Sequence, residues 1–170
     1  MTFTLSATPY GRDSTAAKLT MYEELRAQLQ GLLAGETDLI ANSANFSALV
    51  FHAMPELNWA GFYFVQGEEL VLGPFQGKPA CIRIKKGRGV CGGAFLKGEP
   101  ILVPDVHAFP GHIACDIASR SELVVPVFAA GAVIGVFDLD SPVTDRFDAV
   151  DAAGIGSLVR LLEASLAGAA

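Results

Sequence analysis

The sequence predicts an α+β domain: a mainly antiparallel central sheet, with N- and C-terminal helices packed on one face and a loop-covered pocket on the other. Three observations lead there. Apolar residues recur at helical spacing near both ends, as Tyr22, Leu25, Leu29 and Leu32 and again as Ile155, Leu158, Leu162 and Leu166. Between them lie aromatic and β-branched runs separated by turn residues rather than by helices, the pattern of antiparallel neighbours. The irregular segment 104–116 mixes Pro, Gly, His and Cys, and loops of that kind commonly build the walls of a site.

Each element follows in order. Asp13-Ser14-Thr15 offers an N-cap for the first helix, which Gly35 can end. A second helix starts near Thr37-Asp38, turns Leu39, Phe46, Leu49, Val50 and Ala53 to the core, and stops at Pro55. Residues 59–65 and 69–75 read as a hairpin around Gln66-Gly67-Glu68, and residues 80–85 add a third strand. Gly87-Arg88-Gly89-Val90-Cys91-Gly92-Gly93 is a glycine-rich turn opening a short helix; it matches neither a P-loop nor a dinucleotide fingerprint. After a short strand at 101–103, residues 122–128 and 133–140 form the strongest hairpin. The last helix is expected to be capped near Thr144-Asp145, with Phe147, Val150, Ile155, Leu158, Leu162 and Leu166 on one stripe.

A chain of 170 residues suits one domain, 1–170. The net charge of −6, with no basic run longer than Lys85-Lys86, argues against nucleic acid, which needs clustered Lys and Arg. The longest uncharged apolar stretch, 123–137, is too short for a bilayer and is broken by Pro126, Gly131 and Gly135, so no membrane is expected. The first residues lack a signal peptide's basic and apolar regions, and the expected location is cytoplasmic. Cys81, Cys91 and Cys115 are an odd number and fit a disulfide framework poorly. In a reducing compartment two could close a transient catalytic disulfide; alternatively all three are small core hydrophobes. Zinc on these cysteines and a histidine lacks any C-x-x-C pair, and neither metal nor cofactor is expected.

Asp138 and Asp140 lie two apart on a strand whose flanking residues are apolar, so both share one covered face unless the strand frays after Phe137. Glu122 stands opposite residue 138, 139 or 140 according to register, and two of those registers put it on the same face. Three carboxylates together would raise at least one pKa, bind an ammonium group and hold a proton ready for donation; a hard cation is the competing occupant. Cys115 follows His107 and His112, and a protonated histidine could favour its thiolate. Trp59 and Tyr63, four apart on one strand, either pack in the core or wall a pocket.

Five segments together resemble a known family. They are Asn58-Trp59-Ala60-Gly61-Phe62-Tyr63, the run from Leu72 through Gly77-Lys78-Pro79-Ala80-Cys81, Gly87-Arg88-Gly89-Val90-Cys91-Gly92, the run from Val103 through His107 and His112 to Cys115-Asp116, and Asp138-Leu139-Asp140-Ser141-Pro142. The sequence resembles the free methionine-(R)-sulfoxide reductases, which are single GAF-domain enzymes, over a core of about residues 22–162. The 104–116 motif is the specific one, since most GAF sensor domains lack it. The resemblance implies a GAF fold and thiol-dependent reduction of free L-methionine-(R)-sulfoxide to L-methionine. In it Cys115 is the nucleophile that becomes a sulfenic acid. Cys81 resolves it as an intramolecular disulfide, Cys91 resolves instead or relays, and thioredoxin recycles the thiols. Glu122, Asp138 and Asp140 fall on carboxylates that hold the substrate, and Trp59 and Tyr63 on an aromatic wall. A homodimer through the apolar terminal helices is expected. The alternative is a non-catalytic GAF sensor that binds a small molecule.

Overall fold

The computed structural model describes residues 14–111 and 116–168. In chain order it contains α1 (Thr15–Leu33), α2 (Leu39–Ala53), β1 (Trp59–Gln66), β2 (Glu69–Gly77), β3 (Arg83–Lys85), α3 (Gly89–Lys97), β4 (Ile101–Val103), a 3-10 turn at Val106–Ala108, β5 (Ser121–Ala129), β6 (Ala132–Ser141) and α4 (Ala149–Ala167). The six strands form one sheet in the order β3-β2-β1-β6-β5-β4, and every neighbouring pair is antiparallel. The chain walks outward from β1 to β3, crosses by α3 to the far edge at β4, and returns to lay β6 beside β1.

The strand period of two divides the central residues between two cores. Ala60, Phe62, Leu123, Val125, Val127, Phe137 and Leu139 face the helical layer in which α2 and α4 pack on the sheet and α1 on those helices. Phe46 of α2 meets Phe62 and Phe137 edge-on, with ring centroids 5.2 and 4.7 Å away. On the other face Trp59, Tyr63, Val124 and Val136 pack with Val90, Cys91, Ala94 and Phe95 of α3. Two helices, α2 and α4, therefore cover one face, with α1 packed against them, while the short α3 covers only part of the other. The gap it leaves is the pocket.

The helix starts follow their caps. Ser14 and Asp38 accept from the Ala17 and Ala41 backbone N–H groups, as their positions predict. The last helix starts later than Thr144-Asp145 suggests. Its cap is Asp148, which exchanges hydrogen bonds with Asp151 in a capping box, and this reciprocal pair outcompetes the single cap upstream. Asp145 instead adopts a left-handed conformation (φ 56°) and donates its N–H to the Pro104 carbonyl. Phe147 is buried, but ahead of the helical stripe. The third strand is also shorter than residues 80–85, because of this run only Ile82 outside β3 still joins the ladder, accepting from Leu72 N–H.

A buried charged group ties α1 to α4. Asp151 accepts from Lys18 Nζ at 2.5 Å and from the Tyr22 hydroxyl at 2.9 Å, with Arg146 Nη1 3.8 Å away. Gly154 gives the Tyr22 ring its place: a Cβ there would lie 2.4 Å from ring carbons. Among the described residues no helix is long and apolar enough to cross a membrane.

Candidate active site

The three central strands carry the site. Antiparallel pairing sets Trp59 opposite Asp140, and Asp140 opposite Glu122, in one row across β1, β6 and β5. Asp138 stands in the next same-face row, between Gly61 and Val124. β6 does not fray after Phe137; it runs on to Ser141, so both aspartates are held by ladders on either side. The register with Glu122 is one of the two that gather all three carboxyls on one face.

Gly61 makes the aromatic wall possible. A side chain there would meet Phe75 Cβ at 2.3 Å and the Trp59 ring at 2.7 Å. With that space open, Trp59 stacks between Phe75 (centroids 5.3 Å) and Tyr63 (5.8 Å), and its Nε1 donates to the Lys78 carbonyl at 3.1 Å. The resulting pocket holds about 540 Å³ of open space, its mouth included. Trp59, Tyr63, Cys91, Glu122, Asp138 and Asp140 all line it.

Burial raises two carboxyls of this site. Glu122 and Asp138 are 5% and 6% exposed, while Asp140 is half-buried. Burial, and then the charge of Asp140, push the Glu122 carboxyl well above its usual range. Asp138 is raised by burial first, then by Asp140 and Glu122. Its carboxyl interacts with Cys91 and Glu122, and its Oδ1 is buried with no hydrogen-bond partner. Cys91 Sγ donates to Glu122 Oε1 at 3.9 Å, and burial with the adjacent carboxyls pushes its thiol up as well. Tyr63 is raised by burial and by Asp138, so its hydroxyl stays protonated. Cys91 Sγ and one oxygen each from Glu122 and Asp138 lie within 4.8 Å of one another, which is close enough to hold a cation. Such an ion would have to displace the buried thiol proton.

The three cysteines have different surroundings. Cys91 is a free, buried thiol on the pocket wall. Cys81 is half-buried, disulfide-bonded, and adjacent to the pocket-lining Ala80. Cys115 and His112 lie outside the described residues. His107 is exposed in the 3-10 turn. Sequence reasoning missed Lys78, Arg88 and Ser119 as pocket residues. The one local signal was Arg88, a cation at the glycine-rich entry to α3, where it stands as an N-cap with no side-chain cap bond.

Fold and pocket together define a GAF-domain protein, and residues 42–167 match the GAF domain family. The chain is 54% identical over 148 residues to Protein YtsP of Bacillus subtilis, covering 86% of this chain and 91% of that one. It is 49% identical over 150 residues to the free methionine-R-sulfoxide reductase of Escherichia coli, covering 88% and 91%. The structure of the free methionine-R-sulfoxide reductase from Neisseria meningitidis in complex with its substrate superposes with a TM-score of 0.86 at 44% identity, covering 96% of each chain. The chain belongs to the free methionine-R-sulfoxide reductase family of oxidoreductases.

Proposed function

We propose that this chain reduces free L-methionine-(R)-sulfoxide to L-methionine, with Cys115 as nucleophile and Cys81 as the resolving thiol. The observation that carries this is the buried Glu122–Asp138–Asp140 cluster facing the Trp59–Tyr63 wall. A sulfoxide oxygen leaves poorly unless it is protonated. A carboxyl held above its usual range at neutral pH supplies that proton. The ionised partner, with the unpartnered Asp138 oxygen, suits the ammonium of an amino acid. Arg88 and the start of α3 suit its carboxylate. A pocket with both ends matched favours the free amino acid over a peptide, in which both charges are lost.

The electrons balance over two steps. The Cys115 thiol takes the sulfoxide oxygen, giving methionine and a Cys115 sulfenic acid. The Cys81 thiol then attacks that sulfur, forming a disulfide and releasing water. An external dithiol, for which we propose thioredoxin, restores both thiols by exchange. Cys81 is disulfide-bonded while Cys91 is a free thiol between two carboxyls, which favours Cys81 as the resolving partner. We further propose a homodimer through the terminal helices. A reducing cytoplasm suits thiols that must be recycled.

The test follows free methionine sulfoxide, resolved by epimer on chromatography, with dithiothreitol as reductant. Selective loss of the R epimer is expected, with a peptide-embedded sulfoxide untouched and no turnover by Cys115→Ser. Full activity in Cys115→Ser would remove that residue from the mechanism. No loss of either epimer in folded, reduced protein would favour the non-catalytic sensor.

A further inference from the structure

The segments that lead into Cys81 and out of Cys115 meet at one carboxylate. Asp116 follows Cys115 in the chain, and Lys78 stands three residues before Cys81. Lys78 Nζ lies 3.2 Å from Asp116 Oδ2 and donates to Oδ1 at 3.4 Å. Asp116 also accepts the Ala118 backbone N–H at 2.9 Å and Asn58 Nδ2 at 3.3 Å. Asn58 donates in addition to Ser119 Oγ at 3.0 Å, and its own backbone N–H is fixed on the Asp140 carbonyl at 3.0 Å. The Lys78 carbonyl accepts from Trp59 Nε1. The Ala118 contact alone would make an ordinary Asx turn. The other partners come from two distant segments, and both lead back to the pocket strand β1.

The Asp116 side chain is 9% exposed, and its carboxyl is held below the usual range by the Ala118 N–H and by Lys78. It is therefore a charged anchor at neutral pH. Lys78 is 69% exposed, and such an ion pair contributes little by itself. The more sheltered Asn58 and Ala118 hydrogen bonds to a charged acceptor should hold most of the anchor's strength.

We propose that Asp116 is a positioning residue for the second half of the reaction: it tethers the chain beside Cys115 to the segment carrying Cys81, so that the sulfenic acid meets the resolving thiol. This rests on the roles given above to Cys115 and Cys81. The step it assists is Cys115–SOH plus Cys81–SH giving the Cys115–Cys81 disulfide and water. Tethering acts on it by raising the effective concentration of one sulfur at the other.

The experiment is a single turnover of fully reduced enzyme with stoichiometric methionine-(R)-sulfoxide. Dimedone is present to trap sulfenic acid, and the trapped form and the disulfide are quantified by mass spectrometry. In Asp116→Ala the ratio of trapped Cys115 to disulfide should rise by about tenfold, the scale of losing hydrogen bonds to a charged group. Asp116→Asn, which keeps the acceptor and the fold, should fall between that variant and the parent. Lys78→Met should shift the ratio by less than about threefold. An unchanged ratio in both Asp116 variants would overturn the proposal, even if both steps slow together, since a merely structural role slows them in parallel. Cys81→Ser sets the upper limit of the ratio. Finding Cys115 neither trapped nor disulfide-bonded in that variant would sink the nucleophile assignment itself, a different result from an unchanged ratio.

Discussion

Replacing Asp138 by Asn should make the protein more tolerant of rising pH while it loses activity. Asp138 is 6% exposed, and its carboxyl is raised in the fold from an ordinary value of 3.8 by burial, Asp140 and Glu122. The folded state therefore holds a proton that the unfolded chain releases above that value. With more protons bound in the native state, stability falls as pH rises, until the folded carboxyl itself ionises. The slope is about 1.4 kcal/mol per pH unit wherever the fold alone holds that proton. In a domain of this size each such pH unit is roughly 3–6 °C in Tm. Asparagine does not titrate, so this slope disappears from the variant. Cys91, Asp140 and Tyr63 also face the site in both proteins, while Glu122, which interacts directly with Asp138, loses that neighbour in the variant, so its carboxyl shifts as well. The assay is thermal unfolding of reduced, substrate-free protein by circular dichroism, at matched ionic strength. The Tm of Asp138→Asn minus that of the parent should increase steadily with pH. A flat difference would mean that Asp138 is ionised in the fold, and its part in proton donation would be lost.

Asp140 raises the carboxyls of both Glu122 and Asp138, so Asp140→Asn should move the basic limb of the kcat/KM profile to lower pH; a pH-rate profile in which that limb stays put would argue against a proton held by this cluster. Gly154→Ala places a methyl group 2.4 Å from the Tyr22 ring and should cost about 1–3 kcal/mol, read as a lowered urea midpoint at unchanged slope. Its activity per folded molecule should be retained, because Gly154 is on α4, behind the sheet from the pocket.

Periodicity made most of the architecture legible. The helical stripes of α1 and α4, the cap residues Ser14 and Asp38, and the hairpin that becomes β5 and β6 all depend on neighbours within a few residues, and those neighbours are visible in the chain. The start of α4 was not, because Thr144-Asp145 and Asp148 are both acceptable caps. The choice turned on the Asp151 partnership, and that residue is in turn engaged by Lys18, far away in sequence. Asp138 and Asp140 stood out as charges in an apolar strand, but frayed and buried ends look alike in sequence. Only pairing on both sides of β6 separates them. Lys78 and Asn58 lie within the family segments, but nothing local marks their pairing with Asp116, since a lysine beside a proline and an asparagine before a strand are ordinary surface choices.

The sequence by itself determined the two periods, the alternation that puts Asp138 and Asp140 on the face opposite Phe137 and Leu139, and the motifs that mark the family. Those are local properties of covalent order: a strand's side chains alternate whatever it pairs with. Tertiary structure alone decided which residue stands opposite Glu122, how deeply the carboxyls are buried, and that Asp116 meets Lys78 and Asn58. Desolvation and charge–charge repulsion depend on distances through space, and the packing of β1, β5, β6 and α3 sets those distances.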